Sequence, residues 1–519
     1  MSTQLDLTTR GAAIRVRKWP DGAALVHHSA AMTLPPKDVC LRALRTRDPA
    51  LDGRIFVAVT STGIYCRPIC PARTPKPENI RFFPSAAAAQ EAGFRPCLRC
   101  RPEISPDAAA WRGTSNTVSR ALTLIGEGLL DGESGVEALA DRLGVGERQL
   151  RRLFDQHLGA PPIAVAQTRR ILFAKQLIQD TQLSMTDVAA ASGFGSVRRF
   201  NDAFRKLYRR PPSELRRRRA GTMSTVTLKL GFRPPYDWDA IVSFLGARAI
   251  AGVDLVDGDR YARTVEIGGH CGSVEVTPGP RHLTATIRFP QVNALLGIVA
   301  RLRRLFDLDA DVAAIGAHLS DDAALAPLVL MRPGLRTPGA WDGFELAIRA
   351  ILGQQVTVTA ARNLASKLVE RVGSTVGPDV TGDPRLCRIF PAPARIVAAD
   401  LSTMPMPRAR IAALRALAEA AEADPRLLDP VGTFDEALER LLALPGFGPW
   451  TAQYWALRAL RDSDAFPAAD VALLRHPAVA DKGNRPTPKA LLARAEVWRP
   501  WRAYAAQHLW TSDAGAPGG

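Results

Sequence analysis

Four of the seven cysteines of this 519-residue chain fall in two short pairs, Cys66 with Cys70 and Cys97 with Cys100. Each short loop offers two sulfurs from one side, and in a reducing compartment such spacing favours a tetrahedral thiolate zinc site. Four thiolates around one divalent ion carry a formal charge of about −2, so the sulfurs remain electron-rich and one can act as a nucleophile. Cys40, Cys271 and Cys387 are isolated and read as small buried apolar residues. A second centre for chemistry is Asp470, in FPAADVALLR, 22 residues beyond Gly448. An Asp before an apolar run is an ordinary helix N-cap, and that position also suits a carboxylate that must stay charged.

The elements around these groups differ along the chain. Lys and Arg total 68 against 51 Asp and Glu, a net charge of +17 with a pI near 10.1. A chain that basic implies a polyanionic partner, and double-stranded DNA is the expected one. Hydrophobic residues at 46% and charged residues at 23% exclude a largely disordered or fibrous protein, and the length suggests three to four domains. No apolar run is long enough for a membrane span, so no membrane partner is expected. The first thirty residues lack the apolar core of a secretion signal, and a cytoplasmic, nucleoid-associated location follows as an expectation.

From about Ser115 to Arg219 the apolar spacing is helical and arginine is frequent. Ser134 and Glu137 predict a capping box ahead of one helix, Gly144 a turn, and GERQLRRLFDQHLG a second helix. The pattern recurs with Ser184 and Asp187, Gly193, and SVRRFNDAFRKLYRRPP, after the amphipathic bridge AVAQTRRILFAKQLIQD. Two such helix-turn-helix units would place their second helices in successive major grooves. Arg148, Gln149 and Arg152 on the first and Ser196, Arg198 and Arg199 on the second are the candidate base readers, with some arginines expected to touch only phosphate. Ten basic residues against two acids between Val197 and Arg219 reinforce that assignment.

Beyond Gly221 the pattern changes to strands: VTLKLGF, a hairpin YARTVEIG–CGSVEVTP turning through Gly268, Gly269 and His270, then HLTATIRFP, followed by the helix VNALLGIVARLRRLF. The rest reads as helical. LPGFGPWTA lies between DEALERLLA and TAQYWALRAL, where Gly446 and Gly448 permit a tight turn whose N–H groups can meet a DNA phosphate, a helix-hairpin-helix.

Longer stretches carry resemblances. Asp52 to Glu103, with TGIYCRPIC, PENIRFF and GFRPCLRC, resembles the zinc domain of Ada-type alkylation-response proteins. The resemblance implies one Zn2+ held by Cys66, Cys70, Cys97 and Cys100, with Cys66 accepting a methyl group irreversibly from a methylated DNA phosphate. A methyl phosphotriester has lost its charge, so an anionic sulfur can approach its methyl carbon; afterwards the cluster falls from about −2 to −1 and repels DNA less. GFGSVRRFNDAFRKLYRRPPSELR resembles the AraC-type transcription-factor domain, which implies a regulator acting with RNA polymerase. Residues 225–512, with RPGLRTPGAWDGFELAIRAILGQQVTV, LPGFGPWTAQYWALRAL and WRPWRAYAAQHLW, resemble AlkA-type 3-methyladenine glycosylases of the helix-hairpin-helix superfamily.

That last resemblance implies that Asp470 is the catalytic carboxylate, that Phe244, Trp450, Tyr454 and Trp510 line the base pocket, and that Gln354 lies at its DNA-facing entrance. Gln355 stands where such enzymes carry an apolar wedge, a departure from the pattern. Trp450 takes the place of the nucleophilic lysine of strand-cleaving relatives, so hydrolysis without lyase activity is expected. No O6-alkylguanine methyltransferase site is present, Cys271 and Cys387 lying in HCGS and LCRI. The expected fold is multidomain and mainly α: a flexible leader (1–35), a small α/β zinc methyl-acceptor domain (36–105), a tandem helix-turn-helix domain (112–220), a small mixed α/β domain (224–335) and an all-α helix-hairpin-helix glycosylase domain (336–512). The expected function joins a methyl-sensing activator to excision of alkylated purines of the 3-methyladenine and 7-methylguanine type. The alternative is a zinc-stabilised transcription factor whose second half only grips DNA.

Overall fold

The computed structural model describes residues 34–105, 116–131, 135–216, 225–429, 434–480 and 484–513. The expected leader lies outside them except for its last two residues, which have no regular secondary structure. Helix α1 (Lys37–Thr46) leads into strands β1 (Phe56–Val59), β2 (Ile64–Cys66), β3 (Ile80–Phe83) and β4 (Arg95–Pro96), in the spatial order β3-β1-β2-β4. This sheet is what brings the two cysteine pairs together. β2 ends on Cys66, β4 runs parallel beside it, and Cys97 N–H donates to Tyr65 O at 2.9 Å. Helix α2 (Ala86–Glu91) is capped by Ser85 Oγ and closes a small core with Phe56, Tyr65 and Phe94.

Six helices follow: α3 (Asn116–Gly126), α4 (Val136–Leu143), α5 (Glu147–Leu158), α6 (Pro162–Asp180), α7 (Met185–Ala191) and α8 (Val197–Tyr208). The second unit forms as the sequence predicts: Ser184 Oγ accepts from Asp187 N–H at 3.0 Å and donates to its carboxylate at 2.7 Å, and Gly193 turns at φ +74°. The first unit departs from expectation at one point. Gly135 is the N-cap of α4, where the sequence predicts Ser134, and among the described residues no side chain caps it; Ser134 itself lies outside them. A glycine there gives the chain freedom to enter the helix but no oxygen to satisfy its N–H groups.

The mixed domain is an antiparallel sheet ordered β5-β9-β8-β7-β6: β5 (Val226–Gly231), β6 (Asp254–Asp257), β7 (Arg260–Ile267), β8 (His270–Pro278) and β9 (His282–Arg288). Helices α9 (Trp238–Ala247) and α10 (Leu295–Leu305) accompany it. Gly268 and Gly269, both at positive φ, form the two-residue turn; His270, expected in that turn, already pairs with Ile267 as the first residue of β8. The C-terminal part is helical apart from a two-residue ladder, Ser374–Thr375 with Arg388–Ile389, where the sequence pattern shows only helix. A pairing that short has no alternation to read.

The domains do not stand apart. Helices α3 to α5 and the start of α6 enclose a core of their own, with Leu122, Leu139, Leu150 and Phe154. The second helix-turn-helix instead shares one apolar core with the β5–β9 domain, in which Ile178, Phe200 and Phe204 join Leu228, Val274, Ile287 and Leu302. Gly231 lies hard against the zinc module, because a Cβ there would clash with Ile104 O. Arg233 Nε donates to Asp52 O at 2.8 Å, and Arg54 pairs with Asp311.

Candidate active sites

The Sγ atoms of Cys66, Cys70, Cys97 and Cys100 lie within 4.8 Å of one another. Zn–S bonds of about 2.3 Å in a tetrahedron put sulfurs about 3.8 Å apart, so this set fits a four-coordinate zinc with small adjustment. Backbone donors already aim at the sulfurs: Arg67 N–H to Cys100 Sγ and Arg99 N–H to Cys97 Sγ, both at 3.3 Å. Crowding divides the four thiols. Hydrogen bonds from Cys100 and then Cys66 hold the Cys97 thiol far below its ordinary value, whereas contacts with Cys66, Cys70 and Cys97 push Cys100 well above it. A divalent cation is the charge that lets all four ionise together. Three of the cysteines are buried and Cys66 alone is partly exposed.

A buried charge network surrounds this cluster, and the sequence reading missed it. Arg67 is 5% exposed; its Nε donates to Asp52 Oδ1 at 2.8 Å and its Nη1 to Cys100 O at 3.2 Å. Burial pulls its pKa down, but Asp52 more than offsets that and holds it above the usual value. Lys175 of α6, fully buried, donates to Cys97 O at 3.0 Å and pairs with Glu103 at 2.5 Å. Arg101 joins Glu103 at 2.9 Å to Asp180 at 2.6 Å, at the end of the same helix. The zinc knuckle is thereby fastened to the helix that bridges the two helix-turn-helix units. A lysine in an otherwise apolar stretch of α6 was the available signal.

Arg148, Gln149 and Arg152 on α5, and Arg198 and Arg199 on α8, are all exposed near the N-terminal ends of their helices. That is where a recognition helix meets base edges. Ser196 is exposed too, but it serves as the N-cap of α8, its Oγ accepting from Arg199 N–H at 3.2 Å.

The second centre is built around Asp470, N-cap of the helix Val471–Arg475. Its Oδ1 accepts from Ala472 N–H at 3.0 Å and Leu473 N–H at 3.1 Å. Trp450 Nε1 donates to Oδ2 at 2.8 Å and Trp510 Nε1 to Oδ1 at 3.0 Å. Four donors thus fix a half-buried carboxylate, and among the described residues no cation is bonded to it. Trp450 and Tyr454, one helical turn apart on Pro449–Trp455, stack at 5.2 Å and 8°, and Trp510 meets Tyr454 edge-on at 6.3 Å.

Phe244 joins this group through a residue the sequence reading did not single out. Arg458, 2% exposed and on the π-helical turn Ala456–Leu460, places its guanidinium 4.4 Å from the Phe244 ring, 5.3 Å from Tyr454 and 5.4 Å from Trp510. Arg248 covers the Phe244 ring at 3.8 Å. Burial pushes the Arg458 pKa down to about 10, so it remains a cation at neutral pH. Burial raises the Tyr454 phenol, but Arg458 and Arg248 outweigh that and lower it below its ordinary value.

Gln354 sits beside the hairpin as a brace: its Nε2 donates to Gly446 O at 2.7 Å and Thr451 Oγ1 at 3.2 Å, and its carbonyl accepts from Arg410 at 2.5 Å. Gln355 is exposed with φ +56°. Of the two hairpin glycines, only Gly446 (φ +82°) uses the left-handed region; Gly448, at φ −100°, is the N-cap of Pro449–Trp455.

Three family models match this chain: the metal binding domain of Ada over residues 39–103, a helix-turn-helix domain over 139–218, and the AlkA N-terminal domain over 227–342. The probable bifunctional transcriptional activator/DNA repair enzyme AlkA of Mycobacterium tuberculosis is 41% identical over 480 residues, covering 91% of this chain and 96% of that protein. DNA-3-methyladenine glycosylase 2 of Escherichia coli is 36% identical over 297 residues, 56% of this chain and 98% of the relative. The bifunctional transcriptional activator/DNA repair enzyme Ada of Escherichia coli is 40% identical over 131 residues, 25% of this chain and 35% of the relative.

Proposed function

The chain belongs to the family of bifunctional transcriptional activator/DNA repair enzymes, and on that premise we propose that it meets alkylated DNA with two chemistries. Cys66 is the methyl acceptor. Its sulfur forms a bond to the methyl carbon of a phosphotriester, the methyl–oxygen bond breaks, and the phosphate leaves as an ordinary diester anion. Bound zinc, held by Cys66, Cys70, Cys97 and Cys100, supplies the charge that keeps the sulfur a thiolate. The partial exposure of Cys66, against three buried partners, supports this assignment. Lowered cluster charge then favours DNA, read by α5 and α8, and the bound activator engages RNA polymerase.

In the second chemistry an alkylated purine is flipped out of the duplex and held against Trp450, Tyr454, Trp510 and Phe244. A cationic 3-methylpurine gains from those ring faces, and its alkylation has already weakened the bond to the sugar. Asp470 faces the oxocarbenium-like carbon as the base departs with the bonding electrons; water adds there and yields its proton, leaving free base and an abasic site. Gly446 and the N-terminus of Pro449–Trp455 hold the flanking phosphate. The observation that carries this reading is the pair of indole N–H groups at 2.8 and 3.0 Å from the Asp470 carboxylate, which join the reacting group to the aromatic pocket. Incubating zinc-loaded protein with methylated DNA, then weighing the Cys66 peptide and the released bases, tests both chemistries. Base release that persists in Asp470→Asn would remove the catalytic assignment. Folded wild type that binds DNA but releases no base would favour the purely DNA-gripping alternative.

A further inference from the structure

Gln355 occupies an unusual place. It is exposed at the end of the helix Gly343–Leu352, in the left-handed region that a non-glycine residue seldom adopts. The residues beside it hold it there. Gln354 is tied to Gly446 O and Thr451 Oγ1 of the hairpin, Arg410 grips the Gln354 carbonyl, and Thr357 caps the next helix, Val358–Val372, through Ala360 N–H at 3.2 Å. Arg410, the Gln354 amide and the Thr357 cap thus fix a short exposed loop against the hairpin proposed to meet DNA phosphate. Val356 beside it is 38% exposed, so the tip is apolar at its flank and amide-bearing at its point.

A flipped purine leaves a gap in the duplex and a pyrimidine without its partner. An apolar plug would fill the gap alone. A glutamine side chain carries both a donor and an acceptor and can also satisfy the exposed edge of that orphaned base. We propose that Gln355 enters the vacated position and hydrogen-bonds the unpaired base opposite the lesion, making excision depend on whether a base stands there. This inference rests on the base-excision reading of Asp470. It assigns Gln355 a specificity-determining part, with Gln354 as the residue that positions it.

The test is single-turnover excision of 7-methylguanine from short duplexes with cytosine, thymine or an abasic site opposite. Wild type, Gln355→Leu, Gln355→Asn and Gln354→Leu are compared, each checked for an unchanged Tm. Gln355→Leu is expected to slow excision about five-fold opposite either pyrimidine, the worth of one hydrogen bond, and to leave it unchanged opposite the abasic site. Gln355→Asn should recover part of the loss. Gln354→Leu should slow all three substrates alike, because it loosens the loop without touching the orphaned base. A Gln355→Leu to wild-type ratio that is the same for all three partners overturns the inference while leaving base excision intact. Wild-type protein with no Asp470-dependent release overturns the base-excision reading, and this inference with it.

Discussion

The cysteine cluster and the Asp470 pocket, the two centres of the proposed function, are built on opposite plans. The cluster is a concentration of negative charge held in place by buried cations: Arg67 against Asp52 and the Cys100 carbonyl, Lys175 against the Cys97 carbonyl. Asp470 is a single charge held by neutral donors, two backbone and two indole N–H groups. The difference matches the work. A sulfur that will be consumed belongs where losing its charge disturbs its neighbours, since that disturbance is the signal. A carboxylate proposed to act repeatedly is suited by donors that orient it through dipoles without pairing its charge.

The comparison can be attacked from several sides. Stripping the metal, or substituting Cys97→Ala, should unfold the zinc module, because structural zinc contributes on the order of 10 kcal/mol in small domains. Methyl uptake should vanish while base release continues, as measured by mass analysis and product assay on one sample; loss of both would show that the centres depend on each other. Next in size, Asp470→Asn should lower kcat for base release about 100- to 1,000-fold with little change in KM and with methyl uptake intact. A third test uses pH. Burial lowers the His508 pKa from 6.5 to about 4, in the helix Arg502–Asp513 that also carries Trp510. Between those values the unfolded chain takes up a proton that the folded chain refuses, so stability falls as pH drops from 6.5 to 4 and is flat above. The full loss is about 3 kcal/mol. His508→Leu should flatten the dependence of Tm on pH in that window. Smallest, Trp510→Phe removes one indole donor and should reduce kcat about ten-fold, the worth of a hydrogen bond to a charged group. An unaltered kcat would mean that dipoles do not orient Asp470.

Much of this arrangement can be read from residue order. Cysteine spacing gives the metal set, Ser184 with Asp187 gives the second helix-turn-helix, and the glycine-rich hairpin before Asp470 gives the pocket's address. These signals are local, each carried within a few residues. The contacts that join one part to another are not. Lys175 and the Cys97 carbonyl are 78 residues apart, Arg458 faces Phe244 across more than 200, and neither pairing leaves a periodic trace. The capping pattern forms at Ser184, whereas Ser134 lies outside the described residues and the N-cap of α4 is Gly135. Gln354 illustrates the same limit, since its amide turns to the hairpin and braces it.

The apolar core that Phe200 and Phe204 share with Leu228 and Leu302 has a consequence for the life of the molecule. The second helix-turn-helix and the β5–β9 domain cannot be parted without opening the hydrophobic interior that belongs to both. One chain carries both parts, which fixes their ratio at one to one, and a cut between them would leave two damaged apolar surfaces in place of one shared interior.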